Sequence, residues 1–222
     1  MLVFGHSGIP VVLFPTAQDN YYVYKDNALI DSVSNLLDDG KIKIYTPDGI
    51  DNDSWYNYSI HPADRVKTHI AYENVILHDV IEYAIYESDR DKVILGGCGF
   101  GGYHALNFAF KHPDKVNGII SLGAFFDIKR FIYGYYDDNC YFNNPPDYMP
   151  GLEDPWYLNR IKEMKIVLGS DELDSNLEEN KRMSHILNQK GIRHLFDIKP
   201  NAGNNWNWWH EIFPQYINMI IE

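Results

Sequence analysis

Cysteine is scarce in this chain: Cys98 and Cys140 are the only two among 222 residues. Two thiols make no disulfide framework, so the expectation is a reduced, cytoplasmic protein. Basic residues are also few. Nineteen Lys and Arg stand against 31 Asp and Glu, a net charge of -12, and no basic run occurs. That balance argues against nucleic acid or an anionic membrane as a partner. No window approaches the ~18 consecutive apolar residues of a membrane span. The opening MLVFGHSGIP has neither the basic start nor the apolar length of a signal peptide. Metal-ligand spacing is missing too, since no two histidines stand four apart on a helix beside a carboxylate. Asp48-Gly-Ile-Asp-Asn-Asp-Ser matches a calcium loop in composition only, with its glycine misplaced. No metal and no cofactor is expected.

What the chain does have is apolar and aromatic bulk: 45% hydrophobic residues and 15% aromatics, including 17 Tyr and 5 Trp. Short apolar runs at 11–14, 42–45, 93–95, 118–122, 166–168 and 195–198 alternate with longer periodic segments. Such continuous runs are what strands buried on both faces require. The periodic segments at 28–37, 66–86, 102–111, 177–189 and 208–221 predict helices. The alternation predicts one α/β domain over residues 1–222, a mostly parallel sheet with helices on both faces. One stretch breaks the pattern. Residues 131–154, FIYGYYDDNCYFNNPPDYMPGLED, are polar, aromatic and turn-rich, and too long for an ordinary loop. They read either as a loop or lid over the carboxyl edge of the sheet, where open α/β folds place ligands, or as a packed surface loop.

The informative motif is Val93-Ile-Leu-Gly-Gly-Cys-Gly-Phe-Gly-Gly-Tyr-His. A buried strand runs into a glycine-dense turn and then a helix. Two nucleotide-binding rivals fail in detail: Tyr103-His104 stand where a phosphate-binding loop needs Lys and Ser or Thr, and the next strand ends in Gly123-Ala124 rather than an acid. The nucleophile elbow of the α/β-hydrolase fold has this context, with small residues flanking a nucleophile at a strained apex. Here Gly97 and Gly101 are the flanks, and the apex is Gly99. Glycine suits the backbone but carries nothing that can attack.

The residues Gly101-Gly102-Tyr103 and His112-Pro-Asp, with Leu2–Gly8, Val11–Thr16, Ser54-Trp-Tyr-Asn, His61-Pro-Ala-Asp-Arg, Tyr72-Glu-Asn, Asp154-Pro-Trp-Tyr-Leu and Leu177-Glu-Glu-Asn, resemble the esterase D-like branch of the α/β-hydrolases. The likeness spans nearly the whole chain and implies the α/β-hydrolase fold, a short or absent first edge strand, and a carboxylic-ester hydrolase's site. In that fold the triad runs serine, acid, histidine along the chain. The resemblance selects Asp174 as the acid, with Asp171 as runner-up; a residue there could equally cap the helix that follows. It puts Asn204 where the family has its histidine, and asparagine is no general base near neutral pH. His210 is the nearest substitute. Cys98 is one residue out of register with the apex, and a buried thiol is inert. The oxyanion donors would be the N–H of Phe100 and one from Ala17 or Gln18, and Cys98 and Tyr103 flank the pocket. Tyrosines 133, 135, 136 and 141 with tryptophans 206, 208 and 209 either line it or are ordinary packing.

With two triad positions empty, the sequence reads as a degenerate esterase-like hydrolase that keeps a pocket for a small ester or acyl ligand. The alternative is an active serine carboxylic-ester hydrolase in which an introduced Gly99 replaces the serine. A purely structural role is the third reading, and a homo-oligomer is left open.

Overall fold

The computed structural model describes residues 1–200, 203 and 205–222. The six apolar runs become strands, somewhat longer than the runs themselves, and a short edge strand at Leu2–Phe4 precedes them. They are β1 (Leu2–Phe4), β2 (Ile9–Phe14), β3 (Ile42–Thr46), β4 (Val93–Cys98), β5 (Val116–Leu122), β6 (Lys165–Asp171) and β7 (Leu195–Lys199). They form one sheet in the order β1-β3-β2-β4-β5-β6-β7. Only the short edge strand β1 runs antiparallel, pairing Leu2 with Thr46; the other pairings are parallel.

Alternation within each strand explains why the runs are continuously apolar. Val11 and Leu13 join one core with Ile94, Ile120 and Leu122, while Val12 and Phe14 join the other with Val93, Leu95 and Ile119. Both faces of the central strands are therefore covered, as parallel sheets require. The first core is closed by α1 (Val23–Asp26), α2 (Ser34–Asp38) and the C-terminal α10 (Trp206–Ile221). The second lies under α3 (Pro62–Val75), α4 (Glu82–Ser88), α5 (Phe100–Lys111), α8 (Pro155–Glu163) and α9 (Leu177–Gln189). A π-helical turn, Ile76–Ile81, joins α3 to α4, so the single helix expected at 66–86 is one long rod with a bulge in it. The helix expected at 28–37 is a 3-10 turn, Asp31–Val33, followed by α2.

Residues 131–154 are more structured than a loop. They carry α6 (Asp138–Tyr141) and α7 (Pro145–Gly151) and run down alongside α5. The Tyr103 hydroxyl donates to the Asn143 carbonyl at 2.8 Å, and Asn107 Nδ2 donates to Asn143 Oδ1 at 3.1 Å. Among the described residues no helix is long and apolar enough to cross a membrane.

Candidate active site

β4 and β5 end level with one another, Cys98 pairing with Leu122, and β6 runs two residues further, Leu122 pairing with Gly169 and the strand ending at Asp171. At ~4.8 Å per strand, the turn after β4 and the loop after β6 stand roughly 10 Å apart on one sheet edge. The strand order turns at β2 and β4, the place where open α/β sheets bind ligands.

Gly99 is the hinge of the β4–α5 turn, at φ 57° and ψ -123°. Its N–H donates to the Leu122 carbonyl at 2.8 Å, and its carbonyl accepts the Gly102 N–H at 3.1 Å. A Cβ added at Gly99 would have no described atom within 4 Å. Its flanks are the opposite. A Cβ on Gly97 would come within 2.2 Å of the Gly101 backbone, and one on Gly101 within 2.2 Å of the Phe14 carbonyl. Strand and helix therefore touch backbone to backbone, while among the described residues nothing crowds the apex.

Phe100 begins α5, so its N–H is among those the helix leaves without an internal acceptor. Its ring is fully buried, stacked on Phe125 and Tyr103 with centroids 4.7 and 4.8 Å away. Across from it, Gln18 adopts φ 60°. The Gln18 N–H already donates to Asp51 Oδ2 at 3.1 Å, so of the two expected donors Gln18 is engaged within the protein. Asp51 also receives His104 Nε2 at 3.0 Å, with both side chains buried. One carboxylate thus ties the loop after β2 to the elbow helix. Sequence reasoning missed this pair: Asp51 sat in the acidic stretch weighed for calcium, and His104 was one histidine among nine.

Asp171 is fully buried at the end of β6, its Oδ1 accepting the Leu173 N–H at 2.8 Å. Asp174 is 9% exposed, its Oδ1 accepting the Asn176 N–H at 2.8 Å in the turn that starts α9. Both acids reach the same edge as Gly99. β7 ends beside Asp171, which pairs with Lys199. Asn204 lies outside the described residues. His210 sits on α10 with its Nε2 on the Asn27 carbonyl, so that nitrogen is held away from proton transfer.

Cys98 is buried, and desolvation pushes its thiol well above the ordinary range. Its N–H donates at 3.1 Å to the hydroxyl of Tyr24, which in turn donates to the Phe14 carbonyl. Tyr103 is fully buried and bonded to Asn143, so both residues contribute packing at the elbow. The aromatics divide between the two sides of the sheet. Trp208 and Trp209 lie in the core under α10, Tyr133 is 73% exposed, and Tyr135 and Tyr141 pack on the α5 side.

A seven-stranded sheet of this order, a glycine-flanked apex at positive φ and acids two strands away define an α/β-hydrolase scaffold. The chain belongs to the alpha/beta hydrolase fold family, whose model matches residues 56–171. No curated protein matches the chain. Solved structures do. A ferulic acid esterase is similar at a TM-score of 0.74 and 14% identity, over 97% of this chain and 85% of the other. S-formylglutathione hydrolase (FrmB) from Staphylococcus aureus gives 0.66 at 18% identity, over 98% and 85%. Mycobacterium tuberculosis MPT51 (FbpC1) gives 0.67 at 14% identity, over 99% and 91%. At these identities the likeness is one of fold.

Proposed function

We propose that this protein is an esterase D-like α/β-hydrolase that has lost hydrolysis and binds a small ester or acyl ligand at the elbow. The observation that carries the reading is Gly99. The backbone holds φ 57° and ψ -123° between two close-packed glycines, and open space lies where a nucleophile's side chain would project. Phe100 and Ala17 supply backbone N–H groups for a carbonyl or carboxylate, and backbone donors do not depend on side-chain identity. Asp174 is the acid of the inherited site, with Asp171 the alternative, and Asn204 replaces its histidine.

Turnover of p-nitrophenyl acetate by the protein, by Gly99→Ser and by Gly99→Ser/Asn204→His tests this. The expected result is background hydrolysis in the first two and turnover at least ~100-fold higher in the double variant, because triad members act as a unit. Turnover by the unaltered protein would overturn the proposal. Turnover by Gly99→Ser alone would favour the alternative, an active serine hydrolase lacking only its nucleophile, with His210 or another histidine as base.

A further inference from the structure

A second concave site lies at the other end of α5, roughly 16 Å along the helix from the elbow. It is a cleft of about 510 Å³, walled by the end of α5, by α6 and α7, and by the start of α8. The volume falls within the ~300–1,000 Å³ usual for small-molecule sites. Phe110, Tyr141, Tyr148 and Tyr157 give it an aromatic lining.

We infer that this cleft binds an organic cation, an ammonium or quaternary ammonium group carried on a small apolar body. The reason is the sign of the charge left over on its walls. The basic groups at its walls are engaged: Lys111 and His112 are both held by Glu73, with His112 Nε2 2.7 Å from Glu73 Oε1 and Lys111 on the other oxygen, and Lys190 Nζ donates to the Leu152 carbonyl at 2.9 Å. Lys111 also donates to Asn143 Oδ1 at 3.0 Å. Of the two acids on the rim, Asp154 caps α8 by accepting the Trp156 N–H at 2.8 Å. Glu153 is exposed and has no hydrogen bond or ion pair among the described residues. The hydroxyl of Tyr148 donates to Asn107 Oδ1 at 3.2 Å, so it is not free to bond a ligand, and an aromatic ring carries a negative quadrupole on its faces. Aromatic faces beside one unpaired carboxylate are the surroundings in which a poorly hydrated cation gains most. The chain's net charge of -12 adds attraction over distance.

The test is calorimetric titration with benzyltrimethylammonium chloride, benzyl alcohol and sodium phenylacetate, which share the ring and differ in charge. Saturable binding of the cation, at least tenfold tighter than the other two, is expected. Glu153→Gln should weaken it several-fold, as should raising the salt concentration. Gly151 lines the cleft, and a Cβ there meets only the Tyr141 hydroxyl, at 3.4 Å. Gly151→Val should therefore fold and abolish binding, and Tyr157→Leu should reduce it without filling the space. Equal binding of the three probes, preference for phenylacetate, or cation binding unchanged in both Gly151→Val and Tyr157→Leu would overturn the inference. Gly99 variants should bind the cation as the parent does, which keeps this result separate from that at the elbow.

Discussion

At the scale of single residues, Gly99 sets the geometry of the turn between β4 and α5, and its backbone conformation is one that few side chains tolerate. An L-residue at φ 57° and ψ -123° is strained, by about 1–3 kcal/mol. Gly99→Ala and Gly99→Ser should therefore each lower unfolding free energy by roughly that amount, read from urea melts. Gly97→Ala should cost more, because its Cβ collides with backbone 2.2 Å away. The Asp51 carboxylate makes a separate prediction. Asp51→Ala leaves the Gln18 N–H and the buried His104 without their acceptor, a loss of about 3 kcal/mol by the same assay. The apex glycine was legible because steric demand writes itself into adjacent positions. The Asp51–His104 bond was not, because its partners lie 53 residues apart and no local periodicity links them.

At the scale of elements, α5 connects the two sites: its first turn faces the elbow, and its last turn walls the cleft. The segment at 131–154 is fastened beside it by side chains from elsewhere. Arg65, almost fully buried, donates to the carbonyls of Phe131 and Ile60, the latter at 3.0 Å. Its guanidinium also lies 4.9 Å from the Tyr58 ring centroid and 5.6 Å from that of Tyr133. Tyr133 is held at φ 47°, uncommon for so bulky a residue. Arg65→Met should release this clasp and speed amide hydrogen exchange in residues 131–136 at least tenfold, with α9 and α10 unchanged. The helix Leu177–Gln189 was readable to the residue, since Met183, Ile186 and Leu187 fall on one face and its first turn carries Glu178 and Glu179. The short helices α6 and α7 were hidden, because α6 is a single turn, α7 holds three prolines in seven residues, and their order comes from Asn143 and Tyr148 gripping α5.

At the scale of the whole molecule, acid stability should fall in two steps. Burial, with His104 adding to it, pushes His69 well below the usual histidine range. His69 is therefore neutral when folded, and the unfolded chain binds its extra proton below about pH 6.5, so stability declines as pH falls from there. Burial alone would raise the Glu73 carboxyl, but the His112 hydrogen bond and the Lys111 charge outweigh it and hold it at about 2. Its contribution is present above the unfolded value of about 4.5 and lost as pH falls towards 2. Urea midpoints measured against pH should show His69→Phe flattening the first decline. Glu73→Gln should be less stable at pH 7, with the gap closing towards pH 2. The mostly parallel sheet was legible because continuous apolar runs require burial on both faces. The acid response was not, since it depends on which charges folding brings together.

The glycines on either side of Gly99 have one more consequence. Positions 97 and 101 are fixed by the contact between β4, α5 and the end of β2, and that contact exists whether or not a serine stands between them. Mutation could therefore erase the nucleophile and leave the surrounding pattern under the same constraint. The pattern records packing rather than chemistry. Among related chains, glycines in this register would gather living and silent members alike, and only the residue at the apex would sort one from the other.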